Sequence, residues 1–275
     1  MSGSAAARKL DYLQRLVGTA VSFGCFGLGG MIIGLVFYPL ICLRYRDDAS
    51  RRRAARGLIH RLFAQHVRLS SWLGVMELRI HGAELLRASR GELIVANHPM
   101  LYDVVCLIAQ MPDADCIVKN SLWNNLFTRG PIRAADYIHN DGSPALIERC
   151  AQRLRGGASL VIFPEGTRTV RGACLNPLQR GAANILARSG APCRPVIIRC
   201  VPLTLTKHEK WYQVPERRWR LSLEVHELLP IASIVAGSAG PAIAARRINE
   251  ALQTYFTTEL RAASRPDYAA TGSDS

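Results

Sequence analysis

The pattern of hydrophobic and polar positions divides the chain into an apolar N-terminal segment and a longer region in which two periodicities alternate. Short apolar runs predict buried strands, and runs with apolar positions at helical spacing predict helices between them. The predicted strands are Val75–Ile80, Leu93–Ala96, Cys116–Lys119, Ser159–Phe163, Pro195–Val201 and Arg220–His226. The predicted helices are 50–75, Leu101–Gln110, Pro144–Arg155, Leu178–Ser189 and Pro241–Ala263. This alternation is typical of an α/β fold, and we expect a mixed sheet flanked by helices.

The N-terminal apolar segment is long enough to cross a bilayer. From Val17 to Leu43 there are 27 residues without a formal charge, against about 20 needed for a spanning helix. Six glycines and Pro39 interrupt this run, so a spanning helix and a re-entrant hairpin both remain open. The spacing of Gly30 and Gly34 would allow close helix packing.

Basic residues are concentrated directly after this segment, between Arg44 and Arg56. By the positive-inside tendency, the rest of the chain should lie in the cytoplasm, against the inner membrane. We therefore divide the chain into a membrane-associated segment (1–45), a catalytic domain (46–264) and a disordered tail (265–275), whose composition is polar and small.

The charge balance suggests an anionic partner. The chain has 35 Lys and Arg against 21 Asp and Glu, a formal net charge of +14. Lipid headgroups, an acidic carrier protein or nucleic acid would each fit such a surplus. The arginines are spread along the chain and no nucleic-acid motif is present, so we expect no nucleic-acid partner. The eight cysteines form no C-x-x-C pair, which argues against a zinc site or a disulfide framework.

The first string with chemical content is NHPMLYD at residues 97–103, directly after a predicted strand. His98 and Asp103 would not face each other on a regular helix, because a spacing of five separates them around the axis. If His98 lies on the turn before the helix, the chain can fold back and bring the Asp103 carboxylate to the imidazole. That contact would fix the tautomer and leave the other ring nitrogen free as a general base.

The second string is FPEGTR at residues 163–168, at the end of another predicted strand. Glu165 and Arg168 would then lie at the carboxyl end of a strand, where open α/β sheets bind ligands. The planar guanidinium of Arg168 suits a phosphate, since it can make two charge-assisted hydrogen bonds at once.

The two strings, in this order and about sixty residues apart, resemble the lysophospholipid acyltransferase family, which includes the 1-acylglycerol-3-phosphate acyltransferases. The resemblance covers roughly residues 70–230. Within this range it is supported further by the LQRGA string at 178–182 and by Pro195 to Ile197. It implies a glycerolipid acyltransferase-like fold and an O-acyltransferase of phospholipid biosynthesis. The acyl donor would be acyl-CoA or an acyl carrier protein, with no metal and no further cofactor.

The resemblance also implies a role for each motif residue. His98 would take the proton from an acceptor hydroxyl as that hydroxyl attacks the thioester, and Asp103 would orient His98. Substrate binding would fall to the remaining motif residues: Asn97, Glu165, Gly166, Thr167 and Arg168. The expected partners are membrane lipids and the acyl donor.

Two positions depart from the family pattern, and at the first Ala134 stands where the family has a glycine. Asn140 stands where the family has an arginine that helps to hold the acceptor phosphate. Lys119, Arg129 or Arg133 could replace that cation. Alternatively, the acceptor belongs to a specialised lipid or polyketide-like pathway and carries no phosphate.

Two readings compete with the acyltransferase. A hydrolase is disfavoured because no serine lies on a Gly-x-Ser-x-Gly elbow. A non-catalytic basic binding protein tethered to the membrane would not need intact His98, Asp103, Glu165 and Arg168.

The basic stretch Lys207–Arg220 contains Trp211, Tyr212 and Trp219. It fits either an interfacial lipid contact or an ordinary basic hairpin.

Overall fold

A seven-stranded sheet forms the centre of the computed structural model, which describes residues 5–143 and 145–262. The strands are β1 (Met76–His81), β2 (Leu93–Ala96), β3 (Ala114–Lys119), β4 (Ile138–Asn140), β5 (Ser159–Ile162), β6 (Cys193–Val201) and β7 (Trp219–Val225). Their spatial order is β1-β7-β6-β2-β5-β3-β4. Neighbouring strands run parallel except β6 and β7, which are antiparallel. The predicted mixed sheet is therefore confirmed.

Helices cover both faces of this sheet, as predicted. They are α1 (Ala5–Ile32), α2 (Tyr38–Arg44), α3 (Asp48–Trp72), α4 (Ala83–Ala88), α5 (Asp103–Ile108), α6 (Asn120–Trp123), α7 (Arg129–Ala134), α8 (Ala145–Arg155), α9 (Gly181–Ser189), α10 (Ile231–Val235) and α11 (Pro241–Ala262). Along β2, Ile94 and Ala96 enter one hydrophobic core while Leu93 and Val95 enter another. Successive strand residues point to opposite faces, so the continuous apolar run of β2 is what a strand covered on both sides requires.

The predicted strands form within two residues of their expected bounds, and the differences lie where turns intervene. Strand β4 was not predicted because its three residues are too few to show a period. The helix predicted from Leu101 begins at Asp103, and the one predicted from Leu178 begins at Gly181. In both places the first residues of the predicted helix belong instead to a turn beside the candidate site. The predicted tail lies outside the described residues.

The N-terminal apolar segment is a helical run without a reversal, which corrects the hairpin alternative. α1 is followed by a π-helical turn (Ile33–Phe37) and then by α2. The run Ala6–Arg44 is the one helix, among the described residues, that is long and apolar enough to cross a membrane. Pro39 lies two residues after the π turn, in the first turn of α2, where a proline removes one backbone N–H from the helical hydrogen bonds.

The two glycines predicted to allow close packing do so against the catalytic domain of the same chain. A Cβ atom at Gly30 would lie 1.9 Å from the carbonyl oxygen of Phe127, and one at Gly34 would lie 2.8 Å from the Cα of Gly130. The backbones can approach this closely only because no side chain intervenes. α1 is therefore fitted to the domain rather than separate from it.

Candidate active site

The expected contact between the two central residues of the site is present. His98 lies on the turn after β2, and its Nδ1 is 2.9 Å from Oδ2 of Asp103, the first residue of α5. The same carboxylate oxygen accepts a hydrogen bond of 2.9 Å from the backbone N–H of Met100. Asp103 is fully buried, whereas 20% of the His98 side chain is exposed. The imidazole is thus held through Nδ1, and among the described residues its Nε2 has no hydrogen-bond partner.

Burial is also the main influence on the protonation of Asp103. Removal from water raises the pKa of this carboxyl, while the hydrogen bond and charge of His98 oppose the rise. The hydrogen bond from Met100 opposes it too, and the nearby Glu165 adds to it. A carboxylate in this position stabilises a positive charge that develops on the imidazole.

Asn97 joins two strands of the sheet, β2 and β6, next to the turn that carries His98. Its amide nitrogen donates to the carbonyl of Ile198 at 2.8 Å, and its amide oxygen accepts from the N–H of the same residue at 2.7 Å. The side chain is 2% exposed. Both ends of its amide join the end of β2 to β6, and the expected binding of substrate by Asn97 stays a prediction.

Glu165 holds the catalytic turn in the same indirect way. Its buried carboxylate accepts hydrogen bonds from the backbone N–H of His98 at 2.7 Å, the N–H of Asn176 at 2.9 Å and the hydroxyl of Thr169 at 2.9 Å. The N–H of Thr169 in turn donates to the carbonyl of His98 at 2.7 Å. Glu165 is 3% exposed and holds the backbone of His98 in place, while its expected contact with the acceptor stays a prediction.

The other residues of the second motif are arranged around the open side of His98. Phe163 stacks on the imidazole, with ring centroids 4.4 Å apart. Gly166 has a φ of +67°, a conformation that favours glycine, and lies exposed at the cavity wall. Thr167 is half-buried beside it. Gln179, at the start of the α9 region, also lines the cavity, and sequence reasoning did not single it out.

An apolar cavity opens beside His98. Its volume is about 660 Å³, within the range of about 300–1,000 Å³ that is usual for small-molecule sites. Side chains from α1, α3, α5, β3 and the segment before α7 form its walls, among them Phe26, Leu62, Ile108, Val118 and Phe127. A long hydrocarbon chain is the kind of ligand that such walls favour.

A group of cations lies at the polar end of the site. Burial lowers the pKa of Lys119, and the positive charges of Lys207 and Arg168 lower it further. Lys119 is the register partner of Asn140 across the β3–β4 pair, so its backbone adjoins the position where the family arginine is missing. Within residues 5–143 and 145–262, neither lysine has a carboxylate partner. Like charges held close together attract an anion.

Arg168 is anchored before any ligand binds. Its Nη1 donates to the carbonyl oxygens of Leu205 at 2.8 Å and Thr206 at 2.9 Å, and Nη2 approaches that of Lys207 at 3.4 Å. The carbonyls orient the guanidinium without neutralising its charge. This orientation also fixes the Lys207 backbone close to the site.

The aromatic residues of the basic stretch divide between surface and core. Trp211 is 42% exposed and touches Phe23 of α1, with centroids 6.3 Å apart. Tyr212 is exposed beside it, whereas Trp219 is 3% exposed on β7. An interfacial role for Trp219 is therefore wrong, because this residue packs in the core; Trp211 and Tyr212 remain available to a lipid surface.

Known proteins resemble the chain in both sequence and fold. A family model described as Acyltransferase matches residues 77–199. The 1-acyl-sn-glycerol-3-phosphate acyltransferase of Helicobacter pylori is 31% identical over 113 residues, which are 39% of this chain and 48% of that protein. A chloroplastic protein of the same name from Brassica napus is 40% identical over 128 residues, 43% of this chain and 36% of that protein. The chain thus spans no more than about half the length of these curated relatives.

The fold is shared with a solved structure. The crystal structure of the 1-acyl-sn-glycerophosphate acyltransferase from Thermotoga maritima superposes with a TM-score of 0.69 at 18% identity, covering 97% of this chain and 100% of that one. The matched region 77–199 contains the His98–Asp103 pair, the Glu165 clamp and Arg168. Residues 77–199 therefore match an acyltransferase domain, and over this region the chain is similar in sequence to 1-acyl-sn-glycerol-3-phosphate acyltransferases and shares the fold of one solved member.

Proposed function

We propose that this protein transfers a fatty acyl chain from a thioester to the free hydroxyl of a lysophospholipid, with 1-acylglycerol-3-phosphate as the acceptor. The observation that carries the proposal is the pairing of His98 Nδ1 with buried Asp103 at the edge of a large apolar cavity. A general base and a hydrocarbon site side by side are what such a transfer needs.

The chemistry follows from this arrangement without an acyl-enzyme. Nε2 of His98 removes the proton as the acceptor oxygen attacks the thioester carbonyl, and a carbon–oxygen bond forms. The tetrahedral intermediate collapses by breaking the carbon–sulfur bond, and the imidazolium returns the proton to the departing thiolate. Asp103 stabilises the imidazolium between these two steps. The reaction needs no cofactor beyond the donor, which is acyl-CoA or an acyl carrier protein.

The cation group supports a phosphate on the acceptor. Lys119, Lys207 and Arg168 concentrate positive charge where Asn140 supplies none. A phosphate near them would be bound by charge-assisted hydrogen bonds, and the donors not used on backbone carbonyls are free for it. Asn140 itself favours the second candidate acceptor, a specialised lipid without phosphate.

The apolar N-terminal helix supports a location at the membrane. We propose that α1 and α2 associate with the inner membrane and that the catalytic domain lies on its cytoplasmic side. Exposed leucines and valines of α1, such as Leu13, Val17 and Leu28, would contact the acyl chains of lipids. The arginine-rich start of α3 would contact anionic headgroups.

The proposal is tested by measuring acyl transfer to lysophosphatidate with the variant His98→Ala. Loss of a general base typically costs about 10²–10⁴-fold in rate. The control is His81→Ala, which removes an exposed imidazole at the end of β1 and should leave the rate unchanged. If His98→Ala keeps more than about half the wild-type rate, the general-base role is wrong. If the wild-type protein transfers acyl chains to no lysolipid, the catalytic function itself is wrong and a binding role replaces it.

The acceptor class is tested by removing one member of the cation group. Lys119→Gln should raise the KM for lysophosphatidate by about tenfold or more, since a charge-assisted hydrogen bond contributes about 1.5–3 kcal/mol. The KM for the acyl donor should stay within about twofold. A wild-type enzyme that acylates a monoacylglycerol better than lysophosphatidate, with no effect of Lys119→Gln on either, would instead support the phosphate-free acceptor.

A further inference from the structure

A buried polar cluster joins α1 to the catalytic turn. It consists of Ser22 on α1, His66 and Ser70 on α3, and Tyr102 on the turn. The hydroxyl oxygen of Tyr102 lies 2.9 Å from Oγ of Ser22 and 2.8 Å from Oγ of Ser70, and it also hydrogen-bonds to Nε2 of His66. Ser22 and Ser70 are themselves 2.9 Å apart. All four residues are buried, with at most 9% of the surface of each exposed.

The position of Tyr102 in the chain gives this cluster a connection to the chemistry. Tyr102 directly precedes Asp103, and its carbonyl accepts the hydrogen bond of Cys106 in the first turn of α5. A displacement of Tyr102 therefore moves the Asp103 backbone. Asp103 holds both His98 and Met100 through the single oxygen Oδ2, and within the described residues its buried Oδ1 has no hydrogen-bond partner. The direction of this carboxylate thus depends closely on where its backbone is held.

The polar face of α1 is matched to the domain. Arg15, Thr19 and Ser22 are buried at helical spacing, and Arg15 donates to the backbone carbonyls of Pro215 and Glu216. The opposite face of the helix is exposed and apolar. A helix attached to the domain by apolar contacts alone would not need these groups, whereas directional hydrogen bonds specify one seating of the helix.

A consistent arrangement of protons completes the cluster. Burial lowers the pKa of His66 to about 4 and raises the pKa of Tyr102 to about 12, so both are neutral at pH 7. Neutral His66 accepts a hydrogen bond from the Tyr102 hydroxyl at Nε2, and Ser70 donates to the His66 carbonyl at 2.9 Å. In this arrangement the Tyr102 oxygen accepts from the Ser22 hydroxyl, so α1 contributes a hydrogen-bond partner to the buried cluster.

We propose that Tyr102 is a positioning residue for acyl transfer and that α1 completes its site through Ser22, so that the N-terminal helix is a working part of the active site as well as a membrane attachment. The inference rests on the proposed function in that its rate readout is acyl transfer. It assigns to α1 a role in kcat that is separate from holding the enzyme at its lipid substrate.

The test compares Tyr102→Phe with a matched control in the full-length protein reconstituted in vesicles of phosphatidylglycerol and phosphatidylethanolamine. Tyr102→Phe keeps the ring and removes the hydroxyl. It should lower kcat about tenfold, with both KM values within about twofold, because small displacements of catalytic groups slow the chemical step. The control Tyr255→Phe removes another tyrosine hydroxyl bonded to a histidine, 2.5 Å from His226 Nδ1, in a region packed against the other face of the sheet. It should leave kcat unchanged.

The link to α1 is tested through Ser22. Ser22→Ala should lower kcat in the same way as Tyr102→Phe, and Ser22→Thr, which keeps a hydroxyl, should restore most of it. The double variant Ser22→Ala/Tyr102→Phe should be little slower than Tyr102→Phe alone, since residues that act through one contact are not additive. Should Tyr102→Phe fail to fold, Ser22→Ala and its threonine counterpart decide the question on the same readouts.

A readout independent of catalysis separates this inference from the proposed function. Amide hydrogen exchange in residues 98–106 should increase in Tyr102→Phe and Ser22→Ala but not in Tyr255→Phe. The proposal is overturned if kcat of both cluster variants stays within about twofold of the control, or if their exchange in 98–106 is unchanged. A wild-type protein without acyl transfer, but with the expected exchange pattern, would contradict the proposed function and leave the coupling of α1 to the turn intact.

Discussion

Glu165→Gln distinguishes a residue that binds the acceptor from one that holds the catalytic turn. In the structure both carboxylate oxygens are occupied: Oε1 accepts from the His98 N–H, and Oε2 accepts from the Asn176 N–H. The hydroxyl of Thr169 lies 2.9 Å from each. A glutamine has nearly the same shape but only one acceptor oxygen. Whichever way its amide turns, an NH₂ group faces one of the two backbone N–H donors.

The expected loss of stability follows from the hydrogen bonds that Glu165→Gln removes or weakens. A buried donor left without a partner costs about 1–3 kcal/mol, and the remaining bonds change from charge-assisted to neutral, which costs about 1 kcal/mol more. We expect the free energy of unfolding to fall by about 2–4 kcal/mol in total. For a chain of this size, each kcal/mol lowers the melting temperature by about 2–4 °C, so a decrease of about 5–15 °C should be seen in thermal unfolding.

Activity should change in a way that direct binding would not produce. Because Glu165 holds the His98 backbone, kcat should fall by about tenfold or more, equally for every acceptor, since a displaced base slows the chemical step itself. The acceptor KM should stay within about twofold. Thr169→Ala removes one of the donors to the carboxylate and should show the same effects more weakly. An unchanged melting temperature together with a selectively raised acceptor KM would refute this reasoning and restore Glu165 as a ligand of the acceptor.

Two further predictions concern the packing of α1 and the protonation of His66 on α3. Gly30→Ala should destabilise the protein by about 1–3 kcal/mol through overpacking, because its Cβ would meet the Phe127 carbonyl. The control Gly24→Ala, whose Cβ would have nothing within 4 Å, should be neutral or slightly stabilising, and equal melting temperatures of the two variants would contradict the packing. His66 has its pKa lowered from 6.5 to about 4 by burial, so the unfolded chain binds more protons between these values, and stability should rise by about 3 kcal/mol from pH 4 to pH 6.5. His66→Gln should flatten that rise, and an identical pH dependence in both proteins would show that other groups cause it.

The fold class and the candidate site could be predicted from local patterns along the chain. A continuous apolar run is a local property of strands that are covered on both sides, such as β2 and β5. Both motif strings begin where such a strand ends. His98 and Asp103 are five residues apart, so one turn suffices to bring them together, and this could be argued from spacing alone. Composition could likewise indicate the length and apolar character of α1, because neither depends on what the helix packs against.

The contacts of the other motif residues depend on packing between segments that are far apart in the sequence. Glu165 accepts a hydrogen bond from the His98 backbone, 67 positions away in sequence, and Asn97 bonds to Ile198, 101 positions away. No local pattern could show that both side chains make these hydrogen bonds within the protein. Strand register placed Lys119 beside Asn140, on a strand too short to be predicted. The partners of the polar face of α1 could not be predicted for the same reason. A buried hydroxyl must find a hydrogen-bond partner, and the packing of distant segments determines which partner it finds.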